Sequence, residues 1–101
     1  HGVGDSDKNF LEFGHRLDLP DTTLLALRAP LALPFDMGHC WVPSFDMDGS
    51  PIGPLKGELR RVEGLVRASE VVRRALKACR TAGYEEARTF LLGFSQGGVV
   101  A

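Results

Sequence analysis

Residues 93–98 read Gly-Phe-Ser-Gln-Gly-Gly, directly after the apolar run Phe90-Leu91-Leu92. A Gly-x-Ser-x-Gly run in that setting asks for a sharp turn from a buried strand into a helix, with the serine strained at its apex. Side chains two residues to either side of such a serine would collide, and glycines at 93 and 97 remove the collision. A serine hydroxyl is a poor nucleophile unless a base takes its proton and donors hold the developing oxyanion. Ser95 is therefore the candidate nucleophile, and the Gln96 N–H, at the start of the following helix, is a candidate oxyanion donor.

The remaining chain supplies the elements such a turn needs. Phe10, Phe13 and Leu17 recur at helical spacing behind the N-cap candidates Asp5, Ser6 and Asp7, which predicts a short first helix. Leu24-Leu25-Ala26-Leu27, closed by Pro30, has the consecutive apolar positions of a strand buried on both faces, and residues 88–94 read the same way. Between Pro30 and Gly57 the chain is rich in Pro, Gly and Asp, a length of loop that is more often functional than idle. Val62, Leu65, Val66, Val72, Ala75, Leu76 and Cys79 form one stripe of a long amphipathic helix over 59–82. Gly64 offers a later start, and Gly83 suits the position just past its end. Helix, strand, long crossover helix and strand together predict an α/β fold with parallel strands and crossover helices.

Composition bounds the function classes. With 44% hydrophobic and 25% charged residues among 101, the chain is globular in makeup and long enough for one small domain. Its net charge of −1 hides an asymmetry: residues 58–82 carry seven basic and three acidic side chains. Glu63 and Glu70 interrupt that basic face and no aromatic accompanies it, which argues for a solvated helix rather than a nucleic-acid site. Cys40 and Cys79 lack metal-like spacing and read as free thiols in a reducing compartment, so the expected location is the cytoplasm. No apolar run approaches the roughly 20 residues that span a bilayer, so stable membrane insertion is not expected. The chain opens with His1 rather than Met, which leaves an upstream segment, a signal peptide included, open.

The glycines of His1-Gly2-Val3-Gly4-Asp5 let backbone approach a ligand closely, and the Val3 N–H is a candidate second oxyanion donor. HGVGD at 1–5 paired with LLGFSQGG at 91–98 resembles the phospholipase/carboxylesterase group of the α/β-hydrolase superfamily, which includes acyl-protein thioesterases and lysophospholipases. LRAP at 27–30, CWVPSFD at 40–46 and GEL at 57–59 carry the resemblance across the whole chain. It implies a serine esterase or thioesterase with Ser95 as nucleophile, Val3 and Gln96 as backbone oxyanion donors, Gly2, Gly4, Gly93 and Gly97 shaping the two loops, and no metal or organic cofactor. The substrate would be a small ester or thioester, a lipid or an acylated protein. In relatives a tryptophan-phenylalanine-aspartate run often closes the long loop; here Val-Pro-Ser separates Trp41 from Phe45-Asp46. Leu33, Phe35, Trp41 and Phe45 are candidates to line an acyl channel, with loop anchoring as the alternative.

In this fold the acid and the histidine follow the serine in the chain. The resemblance thus implies that residues 1–101 are a fragment of one α/β-hydrolase domain, inactive and poorly folded alone, with a triad Asp and His beyond Ala101. It also implies a central strand before His1, lying between strands 22–28 and 88–94. Of the histidines present, His1 reads as a brace for the oxyanion loop and His15 as exposed or packing. His39 lies near Asp36, Asp46 and Asp48, which could orient an imidazole, but its place in the chain is wrong for the family. A non-catalytic hydrolase relative acting as an interaction partner is the rival reading.

Overall fold

The computed structural model describes residues 1–53 and 55–101. Its first helix, α1 (Asp7–Arg16), begins where Ser6, in extended conformation, accepts from the Asn9 N–H at 3.2 Å. Asp5 Oδ1 accepts from the Ser6 N–H at 2.8 Å and from the Asn9 side-chain amide at 3.0 Å, so the positive end of the helix is capped twice. The Phe10 and Phe13 rings meet at 5.5 Å on the apolar face. Arg28 reaches back to α1 and grips Asp7 with two hydrogen bonds, of 2.7 and 3.3 Å. The hydrogen bond from Arg28 holds the Asp7 carboxyl below its usual range. Because the pair is half-exposed, it orients the 24–30 segment more than it stabilises the fold.

The long loop opens with a small antiparallel hairpin. β1 (Leu31–Ala32) pairs with β2 (His39–Cys40) in the register Leu31 with Cys40 and Ala32 with His39. Its tip is a single tight turn over Pro34–Asp36 in which Phe35 and Asp36 both adopt positive φ, 56° and 54°. The amino-terminal loop joins the hairpin from the other side: the Gly4 N–H donates to His39 O at 3.0 Å and the His39 N–H to Asp5 O at 3.1 Å. Gly38 makes that approach feasible, since a Cβ there would stand 2.6 Å from the Gly4 carbonyl carbon.

α2 (Leu59–Thr81) is the scaffold. Glu58 caps its start, accepting from the Arg60 N–H at 3.3 Å. Its end is a Schellman turn: the Gly83 N–H donates to Arg80 O, the Tyr84 N–H donates to Cys79 O, both at 3.0 Å, and Gly83 takes φ 93°. The Gly83 expectation is met, but Gly64 is no helix start. It is buried under the long loop, where a Cβ would fall 2.6 Å from Pro43 Cδ and 3.2 Å from Val42 Cα. Gly64 and Ala68 are the helix's buried residues, whereas Val62 and Val66, from the expected stripe, are about half exposed. Small side chains carry the packing because the loop backbone comes so close. Ala68 meets Ala29 and Trp41 in the buried core, with Leu27, Val71 and Val100 packed around them.

The expected parallel sheet is not formed by the described residues, whose one sheet is the antiparallel β1–β2 pair. Segments 22–28 and 88–94 carry no strand pairing. Both face a cleft of about 1450 Å³, which is also lined by Val72, Ala75 and Leu76 of α2. Phe90 stays 89% and Leu25 63% exposed, far from the two-sided burial that their sequences anticipate. The physical reason is pairing: a strand without a neighbour has no ladder to join. The same opening loosens the whole: the radius of gyration is 14.7 Å, against about 13 Å for a compact domain of 100 residues.

Gly64→Ala in the full-length protein tests the loop–helix contact. Alanine favours a helix by about 1 kcal/mol, but the added methyl overlaps Pro43, and overpacking costs about 1–3 kcal/mol. A lower Tm is expected in a thermal melt, and a higher one would contradict the packing.

Candidate active site

Ser95 stands at the mouth of α3 (Gln96–Val100) with φ 53° and ψ −121°. For a residue with a Cβ, a positive φ is strained and persists only where the surroundings impose it. Here the surroundings are the glycines. A Cβ on Gly93 would overlap the Gly97 carbonyl oxygen and lie 2.6 Å from Gly98 Cα, so the chain folds back on itself only because residue 93 has none. A Cβ on Gly97 would lie 2.8 Å from His1 O and 2.9 Å from His1 N, which seats the amino-terminal loop against the first turn of α3. Gly2 completes the contact, its Cβ position 3.4 Å from Ser95 Cβ and from Phe94 Cδ1. Two backbone hydrogen bonds close the turn, Gly97 N–H to Phe94 O at 2.9 Å and Gly98 N–H to Ser95 O at 3.0 Å.

Gln96 is the first residue of α3, so its N–H is one of the helix donors without an intrahelical acceptor. Val3 sits in the exposed turn of the facing loop. Among the described residues, neither N–H takes a hydrogen-bond partner, and none bonds the Ser95 hydroxyl. The loop N–H of Val3 and the helix-end N–H of Gln96 are thus both without an acceptor among the described residues.

His1 is the brace of this arrangement. Its ring is buried, 3% exposed, and tilts against Trp41 with centroids 5.6 Å apart. Its Nε2 accepts from the Ala29 N–H at 3.0 Å, which leaves Nδ1 to carry the proton and donate to Gly2 O at 2.8 Å. That assignment fixes the neutral tautomer and uses both ring nitrogens for structure. The Trp41 indole N–H in turn donates to His1 O at 2.9 Å.

The other histidines are placed elsewhere. His15 is exposed on α1. His39 lies in β2 with Nδ1 buried and unpartnered. Two of the three carboxylates that could orient it have other engagements: Asp46 is held by Arg60, and Asp48 accepts from the Ser50 N–H at 2.9 Å and its hydroxyl at 2.6 Å. Burial pushes the Cys40 thiol up, the opposite of what a nucleophilic thiolate needs.

The expected acyl-channel residues do not converge. Trp41 is buried in the core, Leu33 is half-buried in the hairpin, Phe45 is 48% exposed and Phe35 is 93% exposed. Trp41 lines the large cleft and a second cavity of about 150 Å³, and neither is lined by Leu33, Phe35 or Phe45. The indole goes inward because it finds both an apolar slot and an acceptor for its N–H; Phe35 follows the hairpin tip out to solvent, and Phe45 lies beyond the hairpin in an isolated bridge with Pro51. Sequence reasoning missed the Gln96 side chain, whose amide bonds the 41–44 loop, and Ala29, whose N–H fixes the His1 ring. The amide identity at 96 was the available signal, since a backbone donor alone needs no particular side chain.

Trp41→Phe in the full-length protein preserves most of the apolar bulk and strips the buried His1 carbonyl of its donor. Leaving that acceptor unsatisfied is expected to cost about 1–3 kcal/mol in denaturant unfolding. An unchanged midpoint would show that the indole hydrogen bond contributes nothing.

A family model for phospholipase/carboxylesterase matches residues 1–101. An uncharacterised hydrolase of Schizosaccharomyces pombe is 32% identical over 104 residues, which cover 100% of this chain and 42% of that protein. One of Mycosarcoma maydis is 31% identical over 105 residues, covering 100% of this chain and 37% of that relative. The chain thus spans about two-fifths of the length of the curated relatives it matches. No solved structure matches it significantly.

Proposed function

The chain belongs to the phospholipase/carboxylesterase family of α/β hydrolases, and from that premise we propose that the whole protein cleaves carboxylic esters or thioesters through an acyl-enzyme on Ser95. The observation that carries the reading is the strained Ser95, φ 53°, at the mouth of a helix and pressed against a glycine loop that leaves the Val3 N–H free. Such strain is maintained where function uses it.

In this reading Ser95 Oγ attacks the acyl carbonyl carbon while a base takes its proton. The carbonyl oxygen, now negative, lies between the N–H groups of Val3 and Gln96, and the helix end adds its positive dipole. Collapse expels the alcohol or thiol with the proton, and water then releases the acid from the acyl-enzyme. His1 cannot be the base without giving up its bond to Ala29 or Gly2, and the family order puts acid and base later in the chain than the serine. The substrates proposed are small esters and thioesters, lipids or acylated proteins.

The arginines of α2 fit a solvated face rather than a nucleic-acid surface. Arg67 pairs with Glu63, Arg80 with Glu86, and Arg60 with both Glu58 and Asp46. No helix among the described residues is long and apolar enough to cross a membrane.

Ser95→Ala in the full-length protein is the direct test. Hydrolysis of p-nitrophenyl butyrate is expected to fall by about 10⁴-fold or more, with Tm nearly unchanged because none of the described residues bonds the hydroxyl. Retained turnover would remove Ser95 from the chemistry, whereas a wild type without turnover would leave the interaction-partner reading.

A further inference from the structure

We propose that the Gln96 side chain, and not only its backbone N–H, is a positioning group that sets the spacing of the two oxyanion donors by tying the Ser95 turn to the loop at Trp41–Ser44; this rests on the hydrolase reading above. Its Oε1 accepts from the Trp41 N–H at 2.9 Å and the Val42 N–H at 3.3 Å. Its Nε2 donates to Val42 O at 3.3 Å and to Ser44 Oγ at 2.6 Å. A carboxamide has two acceptor lone pairs and two donor hydrogens, so all four are used. The amide orientation follows from the same set, because a flipped amide would point its N–H₂ at two backbone N–H donors.

These bonds close a circuit. From Gln96 the amide leads to the Trp41 backbone; from Trp41 the indole N–H leads to His1 O; and His1 O lies against Gly97, next to Gln96 in α3. One residue, Trp41, is therefore hydrogen-bonded to both sides of the site: to the helix that carries one donor and to the loop that carries the other. On its far side the loop is fixed to α2, where Val42 and Pro43 crowd Gly64. Farther along, Arg60 holds Asp46. Trp41 thereby acquires a role different from lining an acyl channel. It is the bridge that the Gln96 amide engages.

Oxyanion donors act by preorganisation, so a small shift in their separation lowers transition-state stabilisation more than substrate binding. Replacing the amide should consequently reduce kcat and leave KM almost alone. Gln96→Leu keeps the backbone N–H and removes all four bonds. Gln96→Glu keeps an acceptor for the two N–H groups but, when ionised, has no hydrogen for Ser44 or Val42; protonation of the carboxyl restores one donor.

The test uses the full-length protein, with each preparation's active serines counted by fluorophosphonate titration so that unfolded molecules do not enter the rate. Per titrated serine, kcat of Gln96→Leu for p-nitrophenyl acetate is expected to drop about 10- to 100-fold with KM within about threefold. The ratio of Gln96→Glu to wild-type kcat is expected to rise as pH is lowered through the carboxyl titration, a change that a simple loss of fold stability would not produce per active serine. Wild-type kcat per titrated serine in Gln96→Leu, or a pH-independent ratio for Gln96→Glu, would overturn the proposal. If Gln96→Leu does not fold, the pH ratio of Gln96→Glu decides it alone. Absence of fluorophosphonate labelling at Ser95 in the wild type would instead overturn the hydrolase reading, and this proposal with it.

Discussion

At Gly97 two backbones come too close for even a methyl group. A Cβ there would sit 2.8 Å from His1 O, and the rest of the site depends on that contact. It brings the loop with Val3 beside the helix end with Gln96, and it keeps Ser95 in a conformation that an isolated chain would leave. The strain at Ser95 is of the order of 1–3 kcal/mol and must be offset nearby. The offset is visible as a set of directed bonds: Trp41 to His1, Ala29 to His1, and the Gln96 amide to the 41–44 loop. All are buried or partly buried, where an unmade bond is costly.

The cleft between segments 22–28 and 88–94 shows what this polypeptide does without strand pairing. The long helix, its Schellman end and the capped first helix form because their hydrogen bonds are local. A parallel strand has no such local partner; its hydrogen bonds come from a neighbour distant in sequence. The apolar side chains of both segments line one opening instead of a sheet interior. The site is spared because its bonds run among the 1–5 loop, the hairpin, the 41–44 loop and α3, all within residues 1–101.

The same distinction between local and distant determines what could be read in advance. Gly93 was legible because the steric demand of a serine turn acts within a few residues, and Gly83 because a helix end demands positive φ; Gly97 was expected from the same turn, but the atoms that exclude a side chain there belong to His1. Trp41 was not legible as a bridge, since its meaning depends on a carbonyl at His1, 40 positions away. Nor was the packing face of α2, where large side chains suggested one stripe and Gly64 and Ala68 took the contact instead. Phe35 misled for a related reason. Hydrophobicity says that burial is favourable, but the tight turn at Pro34–Asp36 directs the ring outward.

At the centre stands the proposal that the Val3 and Gln96 N–H groups form one oxyanion hole facing Ser95. The most direct measurement is a crystal structure of the full-length protein after reaction with a fluorophosphonate, in which Ser95 Oγ displaces fluoride and keeps the phosphonyl group. The phosphonyl oxygen is expected about 2.7–3.1 Å from both the Val3 and Gln96 nitrogens, with the Gln96 amide still bonded to the 41–44 loop. An adduct on another residue, or a phosphonyl oxygen turned away from Val3 and Gln96 toward solvent, would contradict it.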